Sequence, residues 1–209
     1  MNEKVKNQVA EMKKQTIGVE VEMNSITRHA AAKLAAEFFG TGRFEDTAYR
    51  NGYYTWSAWD VQGREWKFQR DVSIEGPDSE KCEMVTPILT YADMDTLQGL
   101  VRRLRKAEAK SDYTRGCGVH IHIGAKGHTA QTLRNLANIM ASHESLLADA
   151  LALDHYRMSR YCRTVSPRFI ETVNSRKPTT MSDLADIWYS ANNATYGRNQ
   201  HYNDSRYHM

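Results

Sequence analysis

Long apolar runs are missing from this chain of 209 residues. Nowhere do 18 apolar residues follow one another, which excludes a transmembrane-helix signal. The opening stretch MNEKVKNQVAEMKKQ has no apolar core behind its charges, so it is not patterned as a secretory signal. Cysteine is scarce: Cys82, Cys117 and Cys162 lie far apart, with no C-x-x-C pair. That argues against a disulfide framework and a cysteine zinc site, and it points to a reducing, cytoplasmic compartment. Four prolines and no low-complexity run leave no evident linker. Charge of one sign is not in excess either: 28 basic against 25 acidic residues leaves +3, too balanced to argue for nucleic acid alone. No internal repeat is visible, nor any Gly-rich strand-to-helix turn of the dinucleotide-binding or P-loop kind.

What is present reads as one folded domain over residues 1–209, with 1–15 as a polar lead-in and 129–195 mainly helical. Hydrophobic residues at 41% and charged residues at 25% place it among globular chains rather than disordered ones. Residues 16–23 alternate, with Val19, Val21 and Met23 on one face and Gly18, Glu20 and Glu22 on the other, as a strand does. Ala, Leu and Phe at helical spacing predict a helix over 29–39, stopped by Gly40. Aromatic and β-branched residues from Tyr53 to Ile74, broken at Gln62-Gly63, predict a hairpin or meander. Further strands are expected at 81–86 and 117–124. Helices are expected over 91–110, with Thr90 and Asp93 as a capping box, and over 129–153. Residues 154–180 read as basic, aromatic and irregular, and Ser182 as the cap of a last helix. Strands and long helices mixed without regular βαβ alternation predict an α+β fold, a largely antiparallel sheet packed against helices.

Several groups of residues have chemistry beyond packing. Glu20 and Glu22, two apart on a strand, project from one face about 7 Å apart along the chain. Carboxylate oxygens at that spacing suit Mg²⁺ or Mn²⁺, although an exposed strand face shows the same alternation. His120 and His122 repeat the pattern between Gly118 and Gly124, and suit a metal or a phosphate. Asp71, Ser73 and Glu75 share a face if their strand continues through them, and Glu83 lies on the next. Tyr156, Arg157, Arg160, Tyr161, Arg163 and Arg168 form a basic, aromatic group; arginine offers bidentate bonds to phosphate or carboxylate, and a solvated loop is the alternative. Three strands, each presenting acids or histidines on one face, would make a costly array of like charges unless a cation neutralised it.

These segments carry a resemblance. Ile17-Gly18-Val19-Glu20-Val21-Glu22, Trp66 through Asp71-x-Ser73, Glu83-Met84-Val85-Thr86-Pro87 and Cys117-Gly118-Val119-His120-Ile121-His122 resemble, in this order, the amidoligase family. That family belongs to the carboxylate–amine ligases related to glutamine synthetase and glutamate–cysteine ligase. The resemblance implies a glutamine-synthetase-like sheet that binds ATP and Mg²⁺ (or Mn²⁺) and joins an amino acid or peptide carboxylate to an amine through an acyl phosphate. It implies Glu20, Glu22, Glu75, Glu83 and His120 as metal ligands, with Asp71 or Glu75 partnering Glu83. It implies His122, Arg157 and Arg160 for ATP phosphate, and Asp71 and Arg160 for catalysis. Partners would be small-molecule or peptide substrates, with no membrane, nucleic acid unexpected and oligomers open. The family pattern continues past an Arg-Tyr segment like Arg206-Tyr207 into further strands, so the chain is expected to be either incomplete after Met209 or a shortened relative. Two other readings remain at this stage: a zinc hydrolase built on the His-x-His strand with Glu20 or Glu22 as base, and a nucleic-acid-binding protein using 156–168.

Overall fold

The computed structural model describes residues 2–50, 52–160 and 162–191. The chain divides after Gly124 into two compact units. The first is α+β. It holds β1 (Ile17–Met23), β2 (Phe44–Asp46), β3 (Trp56–Trp59), β4 (Glu65–Gln69), β5 (Cys82–Val85) and β6 (Val119–Ile123), together with α1 (Glu3–Met12), α2 (Arg28–Phe39) and α3 (Met94–Lys106). The strands form one sheet in the order β2-β3-β4-β5-β1-β6, and every pairing is antiparallel.

The period-two alternation sets the face that β1 and β4 turn to the core, with β5 between them. Val19, Val21 and Met23 of β1, Trp66 and Phe68 of β4, and Cys82 and Met84 of β5 enter one core with Leu97, Leu100 and Leu104 of α3. From α2 the same core takes Ala31, Ala32, Ala35 and Ala36, all fully buried, so that small side chains bring the helix close to the sheet. Phe39 closes the row against Trp66, their ring centroids 5.1 Å apart. Thr27 caps the start of α2 by accepting the Ala30 N–H, and Gly40 ends it in the left-handed conformation at φ 74°. The expected capping box forms before α3: the Thr90 N–H donates to Asp93 Oδ2 at 2.8 Å.

The β3–β4 hairpin turns at 60–64, where Gly63 takes φ 75°. Asp60 organises that turn. It is only 5% exposed, and its carboxylate accepts from the Gln62 and Arg64 N–H groups, from Arg64 Nε and from Trp66 Nε1.

One expectation about the sheet needs correcting. β4 ends at Gln69, so Asp71, Ser73 and Glu75 do not lie on a continuing strand. The chain turns instead, because Asp71 Oδ1 accepts the Ser73 N–H at 2.6 Å.

The second unit contains α4 (Ala130–Ala150), α5 (His155–Arg160), α6 (Pro167–Arg176) and α7 (Met181–Ala191). Its core joins Ala130, Phe169, Val173, Leu184 and Ile187, with Phe169 and Trp188 edge to face at 4.9 Å. Asn138 and Asn174 exchange amide hydrogen bonds of 3.0 and 2.8 Å between α4 and α6. Residues 154–180 are therefore not irregular throughout; α5 and α6 lie within them. Ser166 and Pro167 are an N-cap followed by proline in the first turn, a start signal that the short apolar pattern of Phe169 and Val173 leaves faint. Thr180, rather than Ser182, caps α7: its hydroxyl accepts the Asp183 N–H at 3.1 Å. No helix among the described residues is long and apolar enough to cross a membrane.

Candidate active site

The face of the sheet opposite the helices is polar, and its strand registers set out the site in rows. Glu22 stands opposite Glu83, and Glu83 stands opposite Gln69. One position along, Glu20 stands opposite Val85 on one side and His120 on the other. His122 faces Gly18. The acids of β1, the acid of β5 and the histidines of β6 thus share one surface, as their alternation in sequence requires.

Pairing between them runs diagonally. His120 Nε2 lies 3.3 Å from Glu22 Oε1, and His122 Nε2 lies 3.3 Å from Glu20 Oε1. Each histidine leans one same-face place along β1, and His122 does so from a row where Gly18 adds no side chain. Glu22, 4% exposed, also accepts the Gly118 N–H on Oε2 at 2.6 Å. Glu83, 7% exposed, accepts from Gln69 Nε2 at 2.8 Å.

Asp71 joins this surface from the turn after β4. The turn is held by the fully buried Ile74 and by the Glu75 N–H, which donates to the Arg115 carbonyl at 2.8 Å. One carboxylate oxygen each from Glu22, Asp71 and Glu83 lies within 4.8 Å of the others. Glu75 has no place in that group; it is exposed, one turn beyond Asp71. Asp71 stands where a second acid was expected to partner Glu83, because the turn draws it inward.

The electrostatics bear the marks of crowding. Burial first, and then the charges of Glu20, Asp71 and Glu22, push Glu83 up to about 7, against the opposing hydrogen bond from Gln69. The hydrogen bond to Glu22 raises His120 above its ordinary value despite partial burial, with smaller help from Glu20 and Glu83. A divalent cation relieves this kind of repulsion, and an all-oxygen donor set suits Mg²⁺ or Mn²⁺ better than a thiophilic metal. The residues present therefore fit such an ion, which Glu22, Asp71 and Glu83 would hold.

A family model described as "Putative amidoligase enzyme" matches residues 13–209. The chain belongs to the amidoligase family. No curated protein and no solved structure matches it. Membership supports an amide-bond-forming ligase acting on small-molecule or peptide substrates.

The remaining expected residues of this amidoligase lie in the second unit. Arg157 sits on α5, where its N–H donates to Asp154 Oδ1 at 3.0 Å. Arg160 ends α5, and its side chain lies outside the described residues, as do Arg206 and Tyr207. Two contributors were not anticipated: Gln69, which holds Glu83, and the Gly118 N–H, which holds Glu22. Gln69 had a signal in the alternation of β4, which puts it on the same face as Lys67. The backbone donor had none, since any residue but proline supplies one.

Proposed function

We propose that this amidoligase is an ATP- and Mg²⁺-dependent ligase of the glutamine-synthetase-like carboxylate–amine class, working in the cytoplasm on an amino acid or peptide acid. The single observation that carries the reading is the meeting of the Glu22, Asp71 and Glu83 oxygens within 4.8 Å on the polar face. A carboxylate oxygen of the acid attacks the γ-phosphorus of ATP, the bond to the β-phosphate oxygen breaks, and ADP and an acyl phosphate result. The amine nitrogen then attacks the acyl carbon, the bond to phosphate breaks, and the amine gives up a proton. A divalent cation would neutralise phosphate oxygens during the transfer, where positioned charge matters more than covalent help.

The chain's own residues would then divide the work. Glu22 and Glu83 are held by Gly118, His120 and Gln69 so that their oxygens stay aimed at one point. Asp71, the least buried of the three acids, would offer one oxygen to the ion and is the candidate for taking the amine's proton on the other. His122, beside Glu20 at the more exposed end, is the candidate for a phosphate oxygen. Arg157 and Arg160 are proposed for phosphate or the acid substrate. The cysteines, two of them buried and none in a disulfide among the described residues, suit a reducing compartment.

A zinc hydrolase is not favoured. His120 and His122 are engaged by separate carboxylates, and the clustered donors are three oxygens rather than a histidine set. Nor does the polar face favour nucleic acid, since it gathers acids.

Trapping with hydroxylamine tests the reading. Purified protein is incubated with Mg²⁺, ATP, hydroxylamine and single candidate acids, and ADP and hydroxamate are measured. Equal amounts of both, dependent on Mg²⁺, are expected for the cognate acid. Hydroxamate formed without ATP, or with Zn²⁺ in place of Mg²⁺ and nucleotide, would contradict it.

A further inference from the structure

Among the described residues, the six strands place a single lysine or arginine on the polar face: Lys67 of β4. It is half-buried. Its neighbours across the ladder are Ser57 on β3 and Val85 on β5. The nearest acid along its own strand, Glu65, is already engaged by Arg50 Nη1 at 3.2 Å and by the Ser57 hydroxyl at 2.7 Å. No carboxylate among the described residues pairs with the Lys67 ammonium.

The register gives this cation a position relative to the acids. Lys67 stands opposite Val85, and Val85 stands opposite Glu20, which stands opposite His120. Lys67 and Glu20 are therefore two strand spacings apart, about 10 Å between their backbones. The one residue between them is Val85, which offers neither a donor nor a charge. A cation held open on one side of an apolar step, with acids on the other, is an unfinished charge arrangement. A group that is itself anionic and is bridged to the acids by a metal would complete it.

We infer that Lys67 binds the terminal phosphate of the nucleoside triphosphate, across Val85 from the carboxylate cluster. The inference rests on the ATP-dependent ligase reading above. Lysine is a point-charge phosphate binder with three donors, and its long stem can lie along Val85 while the ammonium stays polar. Neutralising the transferring oxygens from the side away from the acids is what phosphoryl transfer requires of a protein cation. Lys67 would touch the substrate itself and would discriminate triphosphate from diphosphate.

The test is calorimetric titration of the full chain with Mg²⁺ alone, Mg²⁺-ADP and the non-hydrolysable Mg²⁺-AMP-PNP. Wild type, Lys67→Met and Lys67→Arg are compared. Lys67→Met keeps the stem and removes the charge. It should weaken AMP-PNP by about tenfold or more, the size of a lost charge-assisted bond, and leave Mg²⁺ and ADP within about twofold. Lys67→Arg should recover most of the loss. If folded Lys67→Met binds AMP-PNP as wild type does, the assignment of Lys67 is overturned while the ligase reading stands. Equal weakening of ADP and AMP-PNP also overturns it, because the terminal phosphate would then not be the partner. If Lys67→Met does not fold, Lys67→Gln takes its place: a folded variant that binds Mg²⁺ and ADP but loses AMP-PNP supports the contact, and one that binds AMP-PNP as wild type does overturns it. Wild type that binds Mg²⁺ but neither nucleotide overturns the ligase reading, and this inference with it.

Discussion

His120 Nε2 stands 3.3 Å from Glu22 Oε1, while the other oxygen of the same carboxylate accepts the Gly118 N–H at 2.6 Å. Both partners come from the segment that pairs with β1, so the strand pairing that builds the sheet also aims a carboxylate. Glu22→Gln is expected to abolish Mg²⁺-dependent ADP release while keeping the fold, with Tm unchanged or raised, since a repelled charge is removed. His120→Ala, which takes away the group orienting Glu22, should weaken Mg²⁺ by about 10- to 100-fold. Mg²⁺ titration and thermal melts on both variants check this; loss of the fold in either would make its role structural.

The raised values of Glu83 and His120 fix a direction for pH. A carboxylate lifted from an ordinary 4.5 to about 7 binds its proton more tightly in the folded state. Its contribution is therefore full below about 4.5 and is lost as pH rises toward 7. His120, raised above 6.5 by Glu22, contributes below that value and loses it as pH rises through its folded value. The two act in the same sense. In EDTA, the melting temperature should fall as pH is raised from 5 to 8, after allowance for other groups by comparison with Glu83→Gln, which should flatten the slope. Mg²⁺ should flatten it as well.

The hairpin that carries Lys67 and Gln69 depends on Asp60. Asp60→Ala removes the acceptor of Trp66 Nε1 and leaves Arg64 with Asp93 alone. Leaving the buried Trp66 N–H without its acceptor costs about 1–3 kcal/mol. Urea unfolding should show a loss of that order, without requiring any change in Mg²⁺ affinity per folded molecule.

Much of this site was legible in sequence because strands write their faces in alternation. Glu20 and Glu22, His120 and His122, and Glu83 are named by period two, and the antiparallel registers then bring them together. The diagonal pairing of each histidine with the glutamate one place along was not legible, since it depends on how neighbouring side chains fill a surface. Nor could the sequence decide between Asp71 and Glu75 as the neighbour of Glu83. A strand continued through both would put both on one face, and it is the Asp71 side chain, bonding to the Ser73 N–H, that ends the strand. The helix α6 was hidden because two buried apolar residues one turn apart, Phe169 and Val173, make too short a stripe to count as periodicity. Residues of the second unit can be assigned from sequence only by resemblance, and Arg157 and Arg160 rest on that.

Gly116 links backbone conformation to the position of Asp71. It takes φ 79°, and a Cβ there would meet the Ser73 carbonyl oxygen at 2.5 Å. Gly116→Ala should therefore displace the turn that delivers Asp71, as well as costing roughly 1 kcal/mol or more for a side chain at positive φ. The expected signature is a drop in Mg²⁺ affinity larger than the loss of stability alone explains, read by calorimetry beside urea unfolding. An Mg²⁺ affinity equal to wild type would show that Asp71 does not hold the ion.

The most direct measurement is a thermal-shift titration of the wild-type chain with Mg²⁺, ATP, the two together, and Zn²⁺ alone. A site filled at 100 times its dissociation constant adds about 2.7 kcal/mol. For a chain of this length that corresponds to a rise of about 5–10 °C in Tm. The account predicts a rise of that size with Mg²⁺ and ATP together, larger than with either alone, and its loss in Glu22→Gln. No rise with the pair, or a full rise with Zn²⁺ alone, would contradict it.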